Sequence, residues 1–225
     1  MSENSGKAIL ININPKLCAK IIDGEKTEEV KKTIPKIKPP FKCYIYCSKP
    51  KNYNSDVSLY TDELYRLPNG EIKYGSSIEL ARFPNQWNKD NFLNGKVIGE
   101  FICDRTDWLD PNASGLFVDF TTPLLRICMS LGEIMRYNNR NDVYLWHITN
   151  LIIYDKPKEL GEFSKYWNYD EDKRPCKSCD AYMFDYCENM MVCGYDFSGE
   201  DCPKMKLTRS PQSYFYVNDI GDAKR

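Results

Sequence analysis

Short alternations of apolar and polar residues recur along the chain and predict strands. Val, Ile, Tyr and Phe are concentrated in these runs, which is typical of a pleated sheet with one buried face. The turn sequence Pro68-Asn69-Gly70 predicts a hairpin with a strand on either side. The other predicted strands cover residues 8–13, a charged segment near 26–33, 41–47, 96–104, one or two strands within 143–155, and 214–218.

Helix signals are fewer than strand signals. Asn14 and Pro15 have the character of an N-cap and a first helical position, and Gly24 supplies a C-terminal stop. Ser130 and Glu133 have the spacing of a capping box, which predicts a helix that ends near residue 137. Because strands dominate and the order is mixed, the pattern predicts an α+β fold, a mixed β-barrel with few short helices, rather than a doubly wound sheet.

Composition excludes several classes of protein. The 225 residues suit one domain, or one domain with an appended module, and 42% hydrophobic and 28% charged residues indicate a globular chain. A net charge of −1 excludes a globally basic surface for nucleic acid. No apolar run reaches the about 18 residues of a membrane span, and no secretory signal is evident, so we expect a cytoplasmic protein without a membrane partner. A single histidine excludes multi-histidine metal sites.

Charge is unevenly distributed along the chain. Residues 1–51 contain eleven lysines and five acidic residues, whereas residues 155–202 contain six basic and twelve acidic residues. Lysines near Phe41, Tyr44 and Tyr46 suit a phosphate backbone with stacked bases. The charge pattern alone nevertheless favours a solvated face with part of the aromatic core behind it.

Five of the ten cysteines fall within one short polar segment. Four thiolates surround a zinc ion tetrahedrally, so the segment predicts a structural zinc site that uses four of the five. An iron–sulfur cluster and unliganded thiols are the alternatives. We expect residues 156–204 to form a cysteine-rich insertion, and residues 1–155 with 205–220 to form the barrel. The five candidate ligands are Cys176, Cys179, Cys187, Cys193 and Cys202.

The segment from Asp23 to Thr33 resembles the G-x-K-x-x-E-x-R signature of the ASCH domain, a relative of the PUA RNA-binding fold. Gly24, Lys26 and Glu29 match the signature, and Lys31 stands where the family usually has arginine. Further segments, in the same order, are similar to larger ASCH-like proteins carried by prophages of Gram-positive bacteria. These segments are 39–42, 95–101, 146–148, 153–160 and 211–213.

This resemblance implies a PUA/ASCH-like barrel with a cleft beside the first helix. Its implied ligand is RNA, DNA or a modified nucleoside, held by a nucleic-acid-binding module. Trp146 and His147 lie on opposite faces of their strand, so His147 is either a core residue or a cleft residue. The candidate binding residues are Gly24, Lys26, Thr27, Glu29, Lys31, Lys32, Trp146, His147, Gln212 and Ser213.

Lys26 and Glu29 are three residues apart, so an ideal strand would place them on opposite faces. They share a cleft only if the strand begins after Lys26 or has a bulge at Thr27 or Glu28. A lysine and a glutamate that meet in a desolvated cleft shift each other's pKa, and they can bind a ligand or act as base and acid. The alternative is an exposed ion pair of little energetic consequence.

Two other functions are open at this point, an enzyme (an amidohydrolase or a ribonuclease) and a protein that binds a host protein. Some ASCH proteins are amidohydrolases with a Lys-x-x-Thr pair supported by a glutamate, but here Glu29 stands in the place of that threonine. Other relatives are ribonucleases, for which Lys26, Glu29 and His147 are the candidate catalytic residues. A phage-derived protein that binds a host protein through the acidic cysteine-rich segment is the third hypothesis.

Overall fold

The computed structural model describes residues 6–49, 93–113, 120–166 and 206–221, together with four short strands between residues 57 and 82. The cysteine-rich segment 176–202 lies outside the described residues, and the zinc site therefore stays a prediction.

The described elements are mostly strands, with three short helices and one turn of 3-10 helix. In chain order they are β1 (Lys7–Ile13), α1 (Pro15–Ile22), β2 (Glu28–Lys31), β3 (Phe41–Cys47), β4 (Val57–Thr61), β5 (Leu64–Arg66), β6 (Ile72–Tyr74), β7 (Ile78–Arg82), β8 (Lys96–Cys103), β9 (Thr106–Leu109), α2 (Thr121–Ile127), α3 (Leu131–Tyr137), β10 (Val143–His147), β11 (Thr149–Glu159) and β12 (Tyr214–Asn218). The longest of these helices has eight residues, well short of a membrane span.

Two sheets organise the fold. The main sheet has the order β11-β8-β3-β1-β12, in which only the β1–β3 pair is parallel. A second sheet has the order β2-β10-β9 and is antiparallel throughout. The predicted α+β class is confirmed. Among the described strands, however, the pairing forms two open sheets and not one closed barrel, because no ladder joins the second sheet to the main one.

Helix α1 confirms its sequence signals. The side chain of Asn14 accepts a hydrogen bond from the amide of Leu17 at 2.9 Å, and Pro15 occupies the first turn. The helix ends at Ile22, and Gly24 follows with a φ of +74°, a left-handed conformation that glycine adopts without strain. Helix α1 therefore turns the chain into β2 within a few residues.

The core lies on both faces of the main sheet. One cluster fills the space between the main sheet, α1 and the second sheet, and it includes Ile9, Phe41 and Trp146. The opposite face of the main sheet is covered by a cluster that includes Leu10 and Phe163. This alternation along β1 follows from the two-residue period of a strand.

Helices α2 and α3 cover the outer face of the second sheet. Val30, Leu145 and Ile134 form a third buried cluster there. The capping box of α3 is present, since Ser130 and Glu133 bond each other's backbone amides. Because β2 is buried on both of its faces, neighbouring residues of β2 enter two different buried environments.

Candidate functional site

The loop between α1 and β2 brings three parts of the chain together. The amide of Lys26 donates to the carbonyl of Lys20 at 2.8 Å, and the amide of Thr27 donates to the carbonyl of Arg126 at 2.9 Å. The amide of Ile148 donates in turn to the carbonyl of Thr27 at 2.9 Å. Strand β2 begins only at Glu28, after Lys26. This late start is one of the two conditions under which Lys26 and Glu29 can meet.

Lys26 is a buried cross-link. Its Nζ donates to the carbonyl of Glu28 at 2.6 Å and to the carbonyl of Ile127 at 2.9 Å, and it lies 3.3 Å from Oε2 of Glu29. An ammonium group has three N–H donors, and two of them bond these carbonyls, while the contact with Glu29 is an ion pair. The residue is 1% exposed. Lys26 therefore joins β2 to the end of α2, and its ammonium group is enclosed by contacts within the fold.

Glu29 is a buried carboxylate between two lysines. Its Oε1 accepts a hydrogen bond from Nζ of Lys31 at 2.9 Å, while Oε2 faces Lys26. Burial acts to raise the pKa of Glu29, but the nearby charges of Lys31 and Lys26 outweigh it and hold the pKa below its ordinary value. Glu29 is consequently ionised at neutral pH and acts as a hydrogen-bond acceptor only.

Lys31 extends this group from the second sheet to the main sheet. Its Nζ also lies 3.3 Å from the carbonyl oxygen of Asn12, near the end of β1. Asn12 is held from the other side, because its amide donates to the carbonyl of Ser213 at 3.0 Å and its Nδ2 donates to the carbonyl of Pro211 at 2.9 Å. The residues just before β12 thus lie beside β1 at the same place.

Trp146 completes this arrangement. It lies directly opposite Glu29 in the β10–β2 register, and its ring centroid is 5.4 Å from that of Tyr214. Contacts therefore run from Glu29 through Lys31 and Asn12 to the segment that holds Ser213, and back through Trp146. We call Asn12, Glu29, Lys31, Trp146 and Ser213 the inter-sheet cluster.

Within the described residues, four side-chain atoms of the inter-sheet cluster are buried without a hydrogen-bond partner. One is Oε2 of Glu29, which faces Nζ of Lys26 at 3.3 Å. The other three have no such charged neighbour and are Oδ1 of Asn12, Nε1 of Trp146 and Oγ of Ser213. The bond from Asn12 Nδ2 to Pro211 fixes which end of that amide is the free acceptor. A buried polar atom left unpaired costs about 1–3 kcal/mol, so three in one place are uncommon in a purely structural core. Together they present an acceptor, a donor and a hydroxyl that does both.

The other predicted binding residues are placed differently. Gly24 and Gln212 are exposed, and Thr27 contributes backbone bonds to the loop. Lys32 is exposed, and its Nζ lies 4.9 Å from the ring centroid of Tyr137. His147 is half-buried and pairs in register with Glu28 and not with Glu29. The structure therefore does not bring His147 to the same face as the inter-sheet cluster.

The face of β2 opposite the inter-sheet cluster carries a second polar group that sequence reasoning missed. Glu28 is fully buried, and its Oε1 lies 3.3 Å from Nε of Arg126 and 3.7 Å from Nη2 of Arg105. Alternation along β2 separates Glu28 from Glu29 and could have pointed to this face. No sequence signal connects Glu28 to arginines about 80 and 100 residues away.

His147 is oriented by Asp104. Its Nδ1 lies 2.6 Å from Oδ1 of Asp104, and this hydrogen bond lowers the pKa of that carboxyl. Nη1 of Arg105 lies 3.1 Å from the same nitrogen and can donate to it only when Nδ1 carries no proton, so it competes with Asp104 for this nitrogen. When Nδ1 donates its proton to Asp104, the neutral ring carries its lone pair on Nε2. The pair thus has the geometry of an oriented proton acceptor. Within the described part of the chain, no three His, Cys, Asp or Glu residues are grouped to hold a metal ion.

Comparison with known proteins returns few matches. No family model matches the chain, and no curated protein matches it. The chain is similar to the crystal structure of ASCH from Zymomonas mobilis, with 14% identity and a TM-score of 0.40 over 68% of this chain and 73% of that one. A variant of the same protein is similar at 15% identity and a TM-score of 0.40, over 70% of this chain and 77% of that one. Both are structures of one ASCH protein from Zymomonas mobilis.

Proposed function

We propose that the chain is an ASCH-like nucleic-acid-binding module that holds one base of single-stranded RNA at the inter-sheet cluster. The observation that supports this is the set of buried, unpartnered atoms on Asn12, Trp146 and Ser213 beside the Glu29 carboxylate. The edge of a nucleobase carries both donors and acceptors in one plane. Such an edge offers hydrogen-bond partners of both kinds to these side chains, which an apolar ligand or a simple anion does not.

Aromatic rings and lysines next to the cluster favour a nucleic acid over other flat ligands. The ring of Tyr214 lies between Trp146 and Tyr216, with centroid distances of 5.4 and 5.9 Å. Nζ of Lys7 lies 4.4 Å from the ring centroid of Tyr216. Proteins that bind single strands combine aromatic platforms for the bases with positive charge along the backbone. DNA and a free modified nucleoside are the competing ligands of the same chemistry.

Ser213→Ala tests this proposal. Because Oγ of Ser213 has no hydrogen-bond partner among the residues that the structure describes, its removal should leave the melting temperature unchanged. We expect the affinity for labelled single-stranded RNA to fall about tenfold, the value of one hydrogen bond of about 1.4 kcal/mol. Fluorescence anisotropy over a series of salt concentrations measures both this loss and the electrostatic contribution of the lysines.

Thr208→Ala is the matched control, since Thr208 also carries a hydroxyl but is exposed. It should bind as wild type does. The same titrations with single-stranded DNA and with nucleosides identify which ligand is preferred. Equal RNA affinity of Ser213→Ala and wild type, or no binding by wild type at low salt, would contradict the proposal.

A hydrolase acting on RNA or a modified nucleoside is the second candidate. Lys26 is poorly suited to act as its base, because its buried ammonium group donates to the carbonyls of Glu28 and Ile127 and pairs with the Glu29 carboxylate. The oriented pair of His147 and Asp104 favours a proton-transfer role on the opposite face of β2 instead. Analysis of the RNA recovered from the binding titrations for cleavage products distinguishes the enzyme from the binding module. The prophage origin rests on the resemblance of the sequence segments alone.

We further propose that four of the five cysteines between residues 176 and 202 bind a structural zinc ion. The Cys176-x2-Cys179 pair supplies the spacing, and the polar segment has little apolar content with which to fold alone. Cys176→Ser should lower both the bound zinc, measured by elemental analysis, and the melting temperature. An unchanged metal content and melting temperature would contradict the zinc site.

A further inference from the structure

Trp108 is a large aromatic side chain left exposed on β9. Its side chain is 67% exposed, and it is the one aromatic residue among the strongly exposed large hydrophobic residues of the described chain. Within the same part of the chain it has neither a ring contact nor a side-chain hydrogen bond. A tryptophan ring stabilises a fold mainly by burying its large apolar area. A ring as exposed as that of Trp108 therefore contributes little to the core.

The register of the second sheet places Trp108 on the face that carries the inter-sheet cluster. Trp108 pairs with Tyr144 across β9 and β10, and Tyr144 pairs with Lys31 across β10 and β2. Two residues further along β10, and therefore on the same face, Trp146 pairs with Glu29. Adjacent strands are about 4.8 Å apart, so Trp108 lies about 10 Å across the sheet from Lys31. This separation suits a nucleotide that neighbours the one held at the cluster.

The backbone beneath Trp108 is held in place. Each residue of β9 pairs with a residue of β10, and the Trp108 backbone lies within this ladder. Tyr144, the cross-strand neighbour of Trp108, packs partly against the core cluster between the sheets. The exposed ring therefore stands on a supported strand, and a stacked base would lose little of its binding energy to ordering the protein.

We propose that Trp108 is a stacking platform for the base that follows or precedes the one held at the inter-sheet cluster. This inference rests on the proposed function, since it assigns a second subsite on the same face. A tryptophan ring stacks on any base, so the platform adds affinity for a strand without adding sequence preference.

Trp108→Ala should weaken binding of a mixed-sequence ten-nucleotide single-stranded RNA about tenfold, within the range found for loss of one base–aromatic stack. Trp108→Phe retains an aromatic face and should stay within about threefold of wild type. The matched control is Leu125→Ala, because Leu125 is a 70% exposed apolar residue away from this face, and its affinity should not change.

The outcomes separate this inference from the proposed function. Unchanged RNA affinity in Trp108→Ala, together with a loss in Ser213→Ala, would overturn the platform and leave the inter-sheet site intact. Absence of binding by wild type would overturn both. A loss in Trp108→Ala with the melting temperature and the Leu125→Ala affinity unchanged would support the platform.

Discussion

Replacing Lys26 with alanine is expected to lower the free energy of unfolding by about 3–5 kcal/mol, the usual effect of removing one partner of a buried ion pair. Two carbonyl groups, those of Glu28 and Ile127, lose their donor, and the Glu29 carboxylate loses one of its two cations. Urea denaturation followed by circular dichroism measures the change. Lys26→Met keeps the apolar stem and removes the charge, and it should show most of the same loss.

Lys20→Ala is the matched control for this experiment. Lys20 pairs with Glu25 on the surface, so its replacement should not shift the urea midpoint measurably. If Lys26→Ala unfolds at the wild-type midpoint, the cross-link has no energetic role. The expected loss has a practical consequence, because an inactive Lys26 variant would be evidence of unfolding before it is evidence of a binding or catalytic role.

Glu29→Gln is expected to destabilise the protein at neutral pH and to flatten its stability profile in acid. The Glu29 pKa is lower in the folded protein than its ordinary value of 4.5. Its contribution to stability is therefore fully present above pH 4.5 and is lost as the pH falls through the folded pKa. At neutral pH the variant leaves two buried lysines short of a counter-charge, at a cost of about 3 kcal/mol.

Urea unfolding of wild type and Glu29→Gln at a series of pH values between 3 and 7 measures this contribution. The difference between the two proteins should be largest at neutral pH and should shrink in acid. Glu133→Gln is a useful comparison, because Glu133 also has a lowered pKa but owes it to the exposed helix cap at Ser130. A constant difference between wild type and Glu29→Gln across the range would show that Glu29 does not titrate as the contacts require.

Local patterns in the sequence were sufficient to predict most elements. The Asn14 cap, the Ser130–Glu133 capping box and the strands at 41–47 and 214–218 all have short-range causes, and each is present where it was predicted. Strand β9 and helix α2 were missed. Helix α2 begins at Thr121 without a side-chain cap, and β9 has only four residues, so neither carries a strong local signal.

The candidate site shows where local information ends. The Gly24–Lys31 motif identified Lys26, Glu29 and Lys31 from the sequence. The spacing predicted that Lys26 and Glu29 meet only if the strand begins after Lys26 or has a bulge at Thr27 or Glu28. Whether it did so depended on the bonds of Thr27 to Arg126 and Ile148, about 100 and 120 residues away.

The sequence by itself determined an α+β chain rich in strands, with an acidic and lysine-rich motif after its first helix. Only the tertiary structure decided that Nζ of Lys26 bonds the backbone at the end of α2 and that Asn12 contacts Lys31. It also decided that His147 lies beside Glu28 on the other face of the second sheet. The physical reason is that strand alternation defines two faces but not which one is the inner face. That choice follows from the packing of Trp146 against Phe41 and Tyr214, which are distant in sequence and close only in the fold.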